Sequence, residues 1–349
     1  MGSQAIESVN KKRRILFYDV LNILATLGVV FLHCNGKAHS YSNTLGWYQA
    51  LLVEVFVYWP VPIFFMLSGA TLMDYRKRYT TKEFFKKRFV RTVIPFVVWT
   101  LINALIKHIN PFEIGIREFI SRCFGTTIEN VYWFFIPLFA VYLAMPGLSL
   151  LKNHRSTLWY LAGSAFLLMS LLPPIFKYIG IRWNSGLSVP MVGGYLLFTI
   201  LGYLFATEEF SRKKRIIIYA FGIFGALLRY GMTVYLSVRD GAINRTFFSY
   251  TEYYSVFLAV AVFVFFKYSS FIKKLELKQK LVDIISQISG CSFGVYLTHM
   301  IIIRYLIRLI PESYLGVEWR ILGPFLVYAI ALILTFVLKK LPLLKHIVP

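Results

Sequence analysis

Apolar residues in this chain run in long unbroken stretches instead of alternating with polar ones. Ten stretches reach or approach the ~20 residues that cross a bilayer as a helix. They lie at about residues 15–35, 47–73, 92–109, 131–151, 157–176, 187–206, 216–238, 251–268, 283–309 and 320–341. The pattern predicts an all-α, polytopic integral membrane protein of ten transmembrane helices. No ten-residue alternation of the kind that builds an outer-membrane barrel is present. Polar residues inside the stretches then become the informative ones, because each is costly at membrane depth.

The first stretch carries Asp19, Asn22, Thr26 and His33. Asn22 and His33 are 11 residues apart, hence about 20° apart around a helix and roughly 16 Å along it. The four residues form one polar stripe on an otherwise aliphatic helix, which predicts a face turned to protein or a wet cavity. The ninth stretch repeats the pattern. Ser292, Tyr296 and His299 fall at i, i+4 and i+7, either for interhelical hydrogen bonding or for a second working face. The second stretch holds Glu54 and then Trp59-Pro60-Val61-Pro62, with Ser68-Gly69 further on. Its prolines predict a kinked or broken helix. Glu54 needs a buried cation, for which Arg229 in the seventh stretch is the expected partner.

Charge sets the orientation. Residues 1–14, 74–91, 152–156, 207–215, 267–280 and 339–349 hold 26 of the 38 Lys and Arg. Placing them in the cytoplasm satisfies the positive-inside rule and predicts both termini inside. The net charge of +22 is thereby explained without nucleic acid. A composition 58% hydrophobic and 15% charged, with mean hydropathy +0.63, is far from that of a soluble domain. The division expected is a basic cytoplasmic N-terminus at 1–14, a membrane domain at 15–341 and a cytoplasmic tail at 342–349. The basic start and first stretch lack a small-residue cleavage site, which predicts a retained helix, not a signal peptide. Cys34, Cys123 and Cys291 are scattered and give neither a disulfide framework nor metal-ligand spacing.

Arg88 and Arg91, at i and i+3 where the third stretch begins, share a helical face. Paired arginines there can grip phosphates bidentately, or they can simply be positive-inside charges. Trp133 and its aromatic neighbours fit an interfacial belt or the wall of a carbohydrate or lipid site. Arg304 and Arg308 are expected to snorkel. His39, His108, His154 and His346 are expected to be solvated. No Walker loop, dinucleotide fingerprint or His-Glu-x-x-His motif occurs.

Over about residues 15–340 the chain resembles the acyltransferase-3 family of bacterial inner-membrane O-acyltransferases, and more narrowly the branch that acetylates surface polysaccharides. The resemblance rests on Tyr18-Asp19…His33, Pro62-Ile63-Phe64-Phe65-Met66-Leu67-Ser68-Gly69, Arg88…Arg91…Pro95, Trp133-Phe134-Phe135 with Tyr142 and Pro146, and Ser292-Phe293-Gly294-Val295-Tyr296-Leu297-Thr298-His299. It implies acetyl-CoA or another acyl-CoA as cytoplasmic donor and an acceptor hydroxyl near the outer side, on a surface glycan or its lipid-linked precursor. It also implies a place in the bacterial cell membrane. The family's first-helix signature is an arginine, ten intervening residues, then a histidine; here the arginine's position is Asn22.

O-acyl transfer needs a base for the hydroxyl and donors for the tetrahedral oxyanion. A neutral imidazole at His33 meets the first need. Asp19, about 21 Å away along the helix, is too far to orient it, so an orienting partner must come from another helix. No Ser-His-Asp set is evident, which points to direct transfer. Catalytic candidates are therefore His33, Asn22 and Asp19, and donor-binding candidates Arg88 and Arg91. Thr26, Glu54, Ser68, Trp133, Ser292, Tyr296 and His299 are candidates for substrate or tunnel walls, in a tunnel expected between the first and ninth spans. No metal is expected. The expected partners are acyl-CoA, the saccharide acceptor and membrane lipids, without nucleic acid. A transporter or flippase for a lipid-linked or anionic solute, or an inactive relative acting as a sensor, would use similar polar stripes, although no internal repeat supports transport.

Overall fold

The computed structural model describes residues 15–189, 192–310 and 315–349; the basic segment 1–14 falls outside them. All regular structure among the described residues is helical. The principal helices are α1 (Leu16–Cys34), α2 (Leu45–Phe56), α3 (Pro60–Leu72), α4 (Thr81–Arg88), α5 (Ile94–Ile106), α6 (Phe135–Leu148), α7 (Arg155–Ala165), α8 (Leu172–Tyr178), α9 (Tyr195–Thr207), α10 (Arg212–Asp240), α11 (Tyr253–Lys267), α12 (Gln279–Leu309) and α13 (Val317–Lys340). Several join end to end, so the described residues hold nine helical runs long and apolar enough to span a membrane, plus the shorter α9. The chain is a multi-pass membrane protein.

Breaks in the helices follow local chemistry. The stretch 47–73 divides at 57–59, because Pro60 has no N–H to continue the ladder but serves well as the first residue of α3. The stretch 92–109 starts earlier than its apolar run does. Thr80 and Glu83 form a capping box that begins α4 in the basic segment. A π turn at Phe89–Val93 then joins α4 to α5. Among the described residues, the stretch 187–206 is helical from Tyr195; before it, Asn184 closes a side-chain turn onto the N–H of Gly186.

α3 and α9 meet backbone to backbone. A Cβ on Gly69 would lie 1.8 Å from the Thr199 carbonyl oxygen, and one on Gly202 would lie 2.0 Å from that of Met66. In lipid, where apolar burial drives little association, this close approach is how helices hold together. It fixes α3 against α9 in the main core, to which α1, α6, α11 and α12 also contribute buried side chains. Residues after α13 fold back on that core: Trp99 Nε1 donates to the Ile347 carbonyl at 2.8 Å, and Val348 is fully buried.

Candidate active site

Between α1, α3, α6, α12 and the π turn lies a cavity of about 460 Å³. The stripe of α1 lines it as helical periodicity demands, through Asp19, Asn22 and Thr26. Ser289, Ser292 and Tyr296 of α12 face them. Asn22 is not left free in the cavity: its amide donates to the Ser289 carbonyl at 3.0 Å and hydroxyl at 3.1 Å. Ser286 donates to Asp19 at 3.1 Å. These bonds clamp α1 to α12. The Ser292 hydroxyl, by contrast, is buried without a hydrogen-bond partner. Ser68 lines the same cavity from α3, its hydroxyl turned back to the Phe64 carbonyl at 2.9 Å.

Arg88 and Arg91 both reach this cavity. They flank and enter the π turn, a widened turn of a kind frequent at functional sites. Arg88 lies half-buried, its guanidinium 5.6 Å from the Tyr142 ring centre. Arg91 is exposed. Neither pairs with a carboxylate among the described residues. A basic vestibule of about 680 Å³, lined by Arg91, Lys339, Lys345 and His346 among others, adjoins the cavity.

Beyond lies a smaller chamber of about 170 Å³ containing His33. Its wall also includes His39, Glu54, Tyr58, Trp133 and Tyr250. Phe64, Phe134 and Tyr296 line both spaces and form the partition between them. Tyr58 stacks on Tyr250 with ring centres 4.0 Å apart, and Trp133 stacks on the other side at 5.6 Å. Arg229 caps the pile, its guanidinium 3.5 Å from the Tyr58 ring centre. Burial holds the Tyr250 hydroxyl well above its ordinary range, so it remains a donor at neutral pH. His39 moves the other way: burial, and then the positive charges of Arg245 and Arg229, favour its neutral form.

His299 lies on neither cavity wall. It packs behind His33, with ring centres 5.3 Å apart, and is fully buried. Its Nδ1 is 2.6 Å from the Tyr296 carbonyl oxygen.

Several expectations change. Glu54 and Arg229 form no ion pair: His39 Nε2 is the nearer group, 4.0 Å from the Glu54 carboxylate, while the Arg229 guanidinium stacks on Tyr58, its Nε donates to Phe247, and its charge reaches Glu54 only from there. His39 is exposed, as are His108, His154 and His346, but it alone of the four also lines the chamber. The aromatics after Glu129 are not a lipid-facing belt. Tyr132, Phe134 and Phe135 are buried and Trp133 faces the chamber. Arg304 does not snorkel: it donates to Glu129 at 2.7 Å and to Asn103 at 2.8 Å. Asn103 in turn donates to the Tyr132 hydroxyl, which donates to the Leu297 carbonyl. Tyr250 and this network escaped sequence reasoning. Tyr250 lies in a loop without periodicity, and Glu129 and Arg304 are 175 residues apart.

The fold and its paired cavities define a multi-pass membrane protein with a polar interior open toward a basic mouth. A comparison with protein families places residues 15–339 in the acyltransferase-3 family, described as an acyltransferase domain. The chain belongs to that family and is a membrane acyltransferase. No curated protein and no solved structure matched it significantly.

Proposed function

We propose that the protein moves an acetyl or similar acyl group from acyl-CoA to a hydroxyl of a surface glycan or its lipid-linked precursor, in a bacterial cell membrane. The observation that carries this reading is the meeting of the two cavities at Phe64, Phe134 and Tyr296, with two arginines that pair with no carboxylate among the described residues at one end and His33 at the other. The donor's phosphates sit at Arg88, Arg91 and the basic vestibule, on the cytoplasmic side. Its extended pantetheine arm fills the larger cavity and brings the thioester to the partition. The acceptor hydroxyl enters the chamber beside Trp133 and Glu54.

His33 takes the hydroxyl proton as the oxygen attacks the thioester carbon. The tetrahedral intermediate collapses, the C–S bond breaks, and the proton leaves on the CoA thiol. Donors for the oxyanion are the Tyr250 hydroxyl and the Trp133 indole N–H, both carried by chamber-wall residues. Asn22 serves by holding α1 against α12, and the positive charge at the mouth comes from Arg88, Arg91 and Lys339. Two cavities meeting end to end also describe a transport path; family membership favours transfer.

The test compares cells expressing wild type and His33→Ala at equal membrane levels. Wild type adds base-labile acyl esters to surface glycan and His33→Ala adds none. Esters at wild-type levels in the variant contradict the assignment of the base. No esters from either, with solute moved instead, favours transport.

A further inference from the structure

Two imidazoles meet in this interior: half-buried His33, which touches the chamber, and fully buried His299, which does not. A carbonyl oxygen can only accept, so the hydrogen on the His299 ring sits on Nδ1, which donates to Tyr296. Nε2 then carries a bare lone pair. That atom is buried and has no hydrogen-bond partner. A buried acceptor left unmade costs about 1–3 kcal/mol, so a donor belongs there.

His33 is the donor at hand. Its ring centre is 5.3 Å from that of His299, close enough for an edge-to-edge nitrogen contact of ordinary hydrogen-bond length, about 3 Å. No hydrogen bond of His33 to another described residue competes for its N–H. The His299 ring is itself held, because Tyr296 supplies its acceptor carbonyl and belongs to the partition between the cavities.

Resting on the reading of His33 as base, we infer that His299 is its positioning residue. His299 Nε2 accepts the N–H of His33, directly after a small ring rotation or through one water. This fixes the tautomer of His33 and leaves its other nitrogen unprotonated toward the chamber. When that nitrogen takes the acceptor's proton, the new charge is shared through the imidazole–imidazole contact until the departing thiolate removes it. His299 thus does from α12 what Asp19, far along α1, cannot do. It touches neither donor nor acceptor.

The experiment replaces His299 by Gln and by Asn in the full-length protein, in membrane vesicles that contain the host's glycan. CoA release from acetyl-CoA is followed. The short Asn side chain can restore the bond to the Tyr296 carbonyl but falls short of His33; Gln extends toward His33. The inference expects Asn to lower kcat about 100-fold and Gln to recover at least about tenfold over Asn. KM for acetyl-CoA and the melting temperature should be similar in both. A kcat for Asn equal to or above that for Gln overturns the inference, because the local bond alone would then suffice. So does wild-type kcat in both variants. His33→Ala, assayed alongside, separates the two failures: if it retains activity, the base itself is misassigned.

Discussion

The amide of Asn22 closes a joint between two helices, α1 and α12. The stripe containing it was readable from periodicity alone, because four polar residues on an aliphatic helix have one place to go. The partners of those residues were not readable. Glu54 with His39, and Arg304 with Glu129, depend on loop paths and helix placements that leave no trace in spacing along a single chain. Arg88 and Arg91 were legible as a pair, and their role yields a residue-scale prediction. A charge-assisted hydrogen bond contributes about 1.5–3 kcal/mol, less where solvent screens it, as at exposed Arg91. Replacing both by Ala should weaken acetyl-CoA binding about ten- to several-hundredfold. It should weaken binding of an analogue lacking the 3′-phosphate by a different factor. Titration of the purified protein decides: equal affinities of wild type and variant for both ligands would reduce the arginines to topology signals.

All ten apolar stretches correspond to helical segments, since length and hydropathy are properties of a single element. Where each segment breaks was less accessible. The division before Pro60 followed from proline chemistry, but the π turn at Phe89–Val93 depends on how α4 and α5 are seated by their neighbours. The late start of α9 escaped because the described residues just before it, 187–189 and 192–194, include apolar side chains without being helical. Close packing of α9 on α3 gives an element-scale prediction. Gly69→Ala forces a methyl into the Thr199 carbonyl, whereas a methyl added at Gly147 would meet nothing within 4 Å. Overpacking of this kind costs about 1–3 kcal/mol. Gly69→Ala should lower the melting temperature of the detergent-solubilised protein by several degrees, and Gly147→Ala should not. Equal melting temperatures would show that the two backbones can move apart at little cost.

At the scale of the molecule, a basic mouth and a histidine chamber are joined through one aromatic partition. About 21 Å of α1 separates Asp19 at one end from His33 at the other, a distance suited to an extended thioester arm. Periodicity led to the ends of this path and to its expected course between the first and ninth spans, but not to the walls that α3 and α6 add or to the partition that divides it. Ser68 lies half-buried on the wall of the larger cavity, between mouth and partition. The direct test places a cysteine there, Ser68→Cys, in a protein whose Cys34, Cys123 and Cys291 have been replaced. In sealed vesicles of known orientation a membrane-impermeant thiol reagent should modify it from the cytoplasmic face, and saturating acetyl-CoA should slow that modification at least about tenfold. Modification only from the opposite face, or at the same rate with and without acetyl-CoA, would contradict a donor path running from Arg88 and Arg91 to His33.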